Sequence, residues 1–147
     1  MAMSYGNVYV ASISMGNDKI GALRAFKEAE EYKGPSIIIA YAPCIGHGLK
    51  GGMGFSQNEE DEAVKAGYWF DFRFDPRLKD ENKNPFILDS KEPSIDLDKF
   101  IYNQMRYEYL KKKHPDIADQ LFKELKKHSK EKLELYKKMA GMDKNPE

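Results

Sequence analysis

Cys44 is the only cysteine of this chain, and it heads a loop whose composition could support chemistry. His47 follows three positions later, and five glycines (Gly46, Gly48, Gly51, Gly52, Gly54) fall within residues 46–54. Three readings of Cys44 are open. It is a small buried residue at a strand end, a nucleophile with His47 as its local base, or a thiolate ligand. Zinc sites and iron–sulfur clusters generally need four ligands, and the chain offers one cysteine and three histidines. His114 and His128 lie beside lysines in the C-terminal region and read as solvated. Cys44 can therefore ligate a cluster only if three partners come from elsewhere.

The string Gly46-His47-Gly48-Leu49-Lys50-Gly51 also matches G-x-G-x-x-G, the dinucleotide fingerprint that sets a helix N-terminus against a pyrophosphate. Gly51, Gly52 and Gly54 delay any helix until about Ser56, and Pro43 and Cys44 lengthen the turn. The acidic residue at the right distance, Asp71, falls inside the next strand rather than at its end. The loop is not a Walker A, since no Gly-Lys-Ser/Thr follows at the required spacing. The neighbouring carboxylates Glu59, Glu60, Asp61 and Glu62 read as a dipole-favoured first helical turn, not an acid/base dyad.

The loop must be held by the elements around it. Residues 7–14, NVYVASIS, read as a first strand. Asn17 or Asp18 can cap a helix over residues 19–32, with Ile20, Leu23, Phe26 and Ala29 at helical spacing and Ala22 and Ala25 beside them. Gly34 is expected as its C′ residue and Pro35 prevents its return. Residues 36–42, SIIIAYA, read as a buried second strand opening into the loop at its C-terminal end, where ligands bind in open α/β sheets. This is a βαβ unit with parallel strands and a right-handed crossover.

Beyond the loop, Ser56 and Glu59 have capping-box spacing for a short helix stopping near Gly67. In YWFDFRFDP the phenylalanines 70, 72 and 74 alternate with Asp71, Arg73 and Asp75, the pattern of a half-buried strand toward a sheet edge or under one covering layer. Residues 77–95 form an ordered excursion around an apolar patch at Phe86, Ile87 and Leu88. Leu97, Phe100, Ile101, Met105 and Tyr109 stripe a helix ending before Pro115. A second helix, residues 116–140, carries Ile117, Leu121, Phe122, Leu125, Leu133, Tyr136 and Met139 on one face. The fold class is α/β: a parallel βαβ-based sheet of about three or four strands over residues 1–95, then a C-terminal helical hairpin over residues 96–142. Residues 143–147 are expected to fray.

Basic and acidic residues number 24 each, so no net field draws the chain to nucleic acid or anionic membrane. Residues 111–138 hold ten lysines, but five interspersed acids and the lack of patterned arginine or aromatic groups mark a solvated face. A single cysteine suits a reducing, cytoplasmic setting. The first residues have no signal-peptide pattern, and no apolar run reaches the roughly 20 residues that span a bilayer.

The runs VYVASISMG, LRAFKEAEEYKGPSIIIAYAPCIGHG, GMGFSQNEEDEAVKAGYWFDFRFDP and NPFILDSKEP resemble the C-terminal part of pyruvate:ferredoxin (flavodoxin) oxidoreductase, and the resemblance covers nearly the whole chain. AYAPC, GMG-x-SQ, AGYW and NPF-x-LDSKEP occur in the family's order and spacing. Gly46 departs from it, standing where a bulkier polar residue, often asparagine, precedes the histidine. The resemblance implies an enzyme that oxidatively decarboxylates pyruvate on thiamine diphosphate and Mg²⁺, forms acetyl-CoA, and passes electrons through [4Fe–4S] clusters to ferredoxin or flavodoxin. It implies that Cys44 is one ligand of the cluster nearest the thiamine, the other three coming from a ferredoxin-like portion. It further implies a homo-oligomeric complete enzyme. The family's G-D-G segment for Mg²⁺ and diphosphate does not occur here, so the chain is expected to be about half of a thiamine-binding domain. Its upstream half would be the partner, and the first strand is expected to expose the edge that pairs with it. Alone, the chain is expected to be inactive and to bind none of these cofactors. The alternative is a standalone, non-catalytic binding or assembly module that keeps the fold.

Overall fold

A computed structural model describes residues 1–44, 46, 49 and 51–142. The expected frayed tail, residues 143–147, lies outside the described residues. Strand β1 (Tyr9–Ile13), helix α1 (Lys19–Glu31) and strand β2 (Ser36–Ala40) form the βαβ unit, with β1 and β2 parallel in the register Tyr9↔Ser36 to Ile13↔Ala40. Asp18 caps α1 by accepting from the Gly21 N–H at 2.8 Å. After helix α2 (Ser56–Lys65), strands β3 (Phe72–Phe74) and β4 (Phe86–Leu88) join antiparallel, giving the order β2-β1-β3-β4. The architecture is the α/β fold expected, with a mixed sheet in which only β1 and β2 are parallel. Helices α3 (Leu97–Asn103), α4 (Met105–Lys113) and α5 (Pro115–Met139) follow.

The sheet has two unlike faces. Val10, Phe72 and Phe74 share one with Phe86 and Leu88, covered by Leu133, Tyr136 and Met139 of α5. Tyr136 fixes α5 there by packing its ring 5.0 Å from that of Phe72 and 5.8 Å from that of Phe70. On the other face Tyr9, Ala11 and Ile13 meet Ala22 and Ala25 of α1. Alanines bring that helix close to the strands. The larger residues Ile20, Leu23 and Phe26, the expected buried stripe, are exposed.

Several further expectations need correcting. β1 is the central, wholly buried strand, not the exposed edge, because β3 returns to pair on its second side. β2 lies at the sheet's end and is largely exposed, despite its apolar sequence. β3 is interior and buried on both faces. The apolar patch of the excursion is β4, which occupies the edge beyond it. Helix α1 ends at Glu31 with Tyr32 extended (φ −75°, ψ 124°), and Gly34 does not adopt the left-handed C′ conformation. Gly67 does, at φ 71°, just past α2. The single helix expected before Pro115 breaks at Gln104, whose ψ of 122° is extended. Met105 and Tyr109, in α4 beyond that break, are exposed.

The polar residues of β3 explain how it sits between two layers. Arg73 is buried under α1 and binds two carboxylates. Its Nε and Nη2 donate to Asp89 at 2.9 and 2.8 Å, and Nη1 donates to Glu28 of α1 at 2.6 Å. The Tyr9 hydroxyl donates to the other Glu28 oxygen at 2.8 Å. A bidentate arginine with a second carboxylate is the arrangement that offsets desolvation of a buried charge. Asp71, two residues back, is buried with one oxygen accepting from Asn17 at 2.9 Å, while its Oδ1 has no hydrogen-bond partner among the described residues. Burial pushes the Asp71 carboxyl up to about 7, with Asp89 and Asp18 adding to the effect and Asn17 opposing it.

Replacing Arg73 with methionine is expected to cost about 3 kcal/mol, the lower end for breaking a buried pair, because both carboxylates keep some water contact. An unchanged urea midpoint would remove this network from the account of stability. For Asp71 the sign follows from its raised folded-state pKa. The folded chain holds the proton more tightly than the unfolded one, so the contribution is fully present below pH 3.8 and is lost as pH rises through about 7. Asp71→Asn should therefore gain stability relative to the parent chain as pH climbs through that window. Parallel urea-midpoint profiles for the two proteins would contradict it.

Candidate functional site

The loop carrying Cys44 leaves β2 beside the C-terminal end of β1. Tyr41 completes the parallel ladder by donating its N–H to Ile13 O at 3.0 Å. Its ring then packs on Trp69 at 5.3 Å and edge-on to Tyr68 at 6.2 Å. Burial pushes the Tyr41 phenol up to about 12, against the pull of Arg106, so it stays neutral near pH 7. Pro43 ends the extended run, and Cys44 follows it in an exposed position without a disulfide. The buried-residue reading of Cys44 is thereby set aside. A Cβ on Gly46 would lie 3.9 Å from the Cys44 Sγ, an ordinary contact distance, so position 46 stands beside the sulfur. His47, the local base of the nucleophile reading, lies outside the described residues.

Downstream the loop is tied down again. Leu49 is buried and forms an isolated antiparallel bridge with Gln104, at the break between α3 and α4. Gln104 Nε2 donates to Glu59 Oε2 at 2.7 Å, and Asn103 Nδ2 donates to Glu59 Oε1 at 2.8 Å. Burial raises the Glu59 pKa and Glu62 adds to it, while the two amides favour the charged form. The Ser56–Glu59 capping box does not form. A short 3₁₀ turn at Met53–Phe55 leads straight into α2, the Ser56 hydroxyl donates to Met53 O at 2.7 Å, and Glu59 is turned inward. Two glycines permit this turn. Gly52 has φ 73°, and a Cβ on Gly51 would meet the Phe55 ring at 2.6 Å. The same start of α2 rules out a Rossmann-type turn, in which the helix begins within the glycine motif.

Nor are the acids at the start of α2 a plain solvated turn. Glu60 is buried and accepts from the Gly16 N–H at 2.7 Å. Its backbone carbonyl accepts from the Ser14 hydroxyl at 3.2 Å. A Cβ on Gly16 would overlap the Gln57 carbonyl, so the turn after β1 and the first turn of α2 are in direct backbone contact. A cleft of about 420 Å³ lies nearby, lined by Asn17, Asp18, Asp61, Lys65, Asp89 and Lys91 among others. In the sequence its charged residues, Asp61 and Lys65 on one stretch and Asp89 and Lys91 on another, read only as solvated surface. Among the described residues, no group of three or more His, Cys, Asp or Glu side chains is placed to hold a metal ion. None of their helices is long and apolar enough to cross a membrane.

Among the described residues, the site presents the Cys44 thiol from a loop tied at Tyr41 and at Leu49. Comparison with known proteins gives this a context. No family model matches the chain. It is 57% identical over 141 residues to a pyruvate-flavodoxin oxidoreductase of Enterobacter agglomerans, and 51% over 140 residues to the pyruvate:ferredoxin oxidoreductase of Moorella thermoacetica. It is 48% identical over 139 residues to the mitochondrial pyruvate dehydrogenase [NADP(+)] of Euglena gracilis. These matches cover 96%, 95% and 95% of the chain but only 12%, 12% and 8% of the relatives. Over nearly its whole length, then, the chain is homologous to one segment of the pyruvate-flavodoxin and pyruvate:ferredoxin oxidoreductases.

Proposed function

We propose that this chain is a segment of a thiamine-dependent 2-oxoacid oxidoreductase acting on pyruvate, and that Cys44 supplies one thiolate to a [4Fe–4S] cluster of the complete enzyme. The observation that carries the reading is that the chain's single cysteine is exposed and outside any disulfide, in a chain that spans about an eighth of its relatives. A cluster needs about four ligands, and the single cysteine fits one share of that set, with three from other parts of the polypeptide. When bound, such a cluster would relay electrons from the thiamine to ferredoxin or flavodoxin.

This chain's own part is positional. The Tyr41 ladder bond at one end of the loop and the Leu49–Gln104 bridge at the other fix where the thiol stands. Thiamine diphosphate, Mg²⁺, coenzyme A and pyruvate are assigned to the remainder of the enzyme, since no G-D-G segment occurs here. The complete enzyme would be a homo-oligomer working in a reducing, cytoplasmic setting.

The test is a chimera of the Enterobacter agglomerans enzyme in which this chain replaces the 57%-identical segment. Cys44→Ala in that chimera is expected to abolish one [4Fe–4S] signal by electron paramagnetic resonance and most pyruvate-dependent electron transfer, leaving the other clusters intact. Full cluster content and activity in the variant would overturn the ligand role. Calorimetric titration of the isolated chain with thiamine diphosphate and Mg²⁺ is expected to give no binding. Micromolar affinity would show that the chain holds a thiamine site of its own.

A further inference from the structure

The chain packs two aromatic clusters of opposite chemical character. Against α5, Phe70, Phe72 and Phe86 meet the ring of Tyr136. Phenylalanine is not oxidised at biological potentials, so that cluster is inert. Behind the Cys44 loop the rings are tyrosine and tryptophan, the aromatic side chains that give up an electron most readily. Tyr41 packs on Trp69 at 5.3 Å and on Tyr68 at 6.2 Å, and the Tyr68 and Tyr107 hydroxyls lie 3.3 Å apart. Tyr41 stands three residues before Cys44, so their Cα atoms are at most about 11 Å apart. Tyr107, at the far end, is half-buried under the guanidinium of Arg106.

Trp69 is the chain's only tryptophan, and its Nε1 is buried with no hydrogen-bond partner among the described residues. Buried indole N–H groups are ordinarily paired. Two positions on, Asp71 Oδ1 is orphaned in the same way. The indole N–H nonetheless favours the ionised form of the Asp71 carboxyl, so the two orphans face each other across more than hydrogen-bond length. An unused donor opposite an unused acceptor costs stability in the resting chain. It gains a use once the indole loses an electron. Oxidised indole is a strong acid at nitrogen, and Asp71, pushed up to about 7 by burial, is a strong base for a carboxylate.

We propose that Trp69, with Asp71 as its proton acceptor, begins a relay that carries a one-electron oxidising equivalent from the Cys44 loop through Tyr41 and Tyr68 to the surface at Tyr107. The starting oxidant is an oxygen-derived radical that reaches the exposed Cys44 position. It takes one electron from the Trp69 indole across the Tyr41 contact, and the Nε1 proton passes to Asp71 Oδ1. Tyr68 then returns an electron to the indole, which takes its proton back from Asp71. The Tyr68 phenol gives its own proton to the Tyr107 hydroxyl, which releases one to water. The oxidant has gained one electron, and one phenol has lost an electron and a proton. A soluble thiol restores that phenol by donating a hydrogen atom. The relay goes beyond the proposed function and does not depend on what Cys44 ligates.

One cysteine and one tryptophan make the relay directly visible. A ruthenium(II) polypyridyl maleimide on Cys44 of the full chain is flashed with a cobalt(III) ammine as electron acceptor. The buffer is held at about pH 8, where Asp71 is ionised. Transient absorption should show the indole radical cation, its conversion to the neutral radical, and a tyrosyl signal that rises as the indole signal decays. In Asp71→Asn, which keeps the side chain's shape, the conversion should slow by roughly a hundredfold, the lower end for a positioned base. Tyr68→Phe, checked for folding by circular dichroism, should lose the tyrosyl signal and prolong the indole radical. No indole radical in the flashed parent overturns the proposal, as does an unchanged conversion rate in Asp71→Asn. A tyrosyl signal that survives Tyr68→Phe puts the radical on another route and overturns the relay.

Discussion

Burying a guanidinium between a sheet and a helix constrains everything around it. Arg73 sits on the face of β3 that α1 covers, and a buried charge there is tolerable only with carboxylates on more than one side. Glu28 meets the requirement from the helix and Asp89 from the chain beyond β4. For Glu28 to reach, α1 must lie close to the sheet, and the alanines at 22 and 25 let it do so. One ion cluster thus sets the height of α1, the inclusion of β3 in the sheet interior and the return path of β4. Phenylalanines on the other face of β3 then fix α5 with no polar demand at all.

That arrangement also sets the limits of the candidate site. Helix α1 lies over β1 and β2, the turn after β1 stands against the start of α2, and the Cys44 loop runs from β2 to α2. Its two anchors differ in kind. Tyr41 continues a strand ladder, whereas Leu49 borrows a bond from a helix that has come undone at Gln104. The inward carboxylate of Glu59 gives that undone residue its partner.

Much of this was legible in the sequence, because local physics decided it. The βαβ unit, the Asp18 cap, the stop at Gly67 and the delay of α2 to Ser56 follow from short-range patterns that tertiary contacts did not oppose. The errors share a cause. SIIIA reads as a core strand by composition, and Ile20, Leu23 and Phe26 read as a core stripe by period, yet this chain buries neither. Hydrophobicity says that a surface is to be covered but not by what. In YWFDFRFDP the alternation was correct, but Arg73 and Asp71 of its polar face find partners 45 and 54 positions away, and no local rule finds those pairings. Glu59 looked like a cap because the spacing was right; Asn103 and Gln104, distant in sequence, claimed it instead. Cys44 was the opposite case. A small residue at a strand end reads as buried, yet the structure exposes it.

Gly16 shows how narrowly the loop is bracketed. Its missing side chain lets the backbone of α2 rest directly on the turn after β1, and Glu60 fastens the contact from the other side. The end of β1, to which β2 is paired, and the start of α2 therefore move as one rigid unit. A segment strung between two points of a single rigid unit has a fixed span. Changes of residue type within it alter its surface chemistry, whereas insertions or deletions must be absorbed entirely by its own backbone.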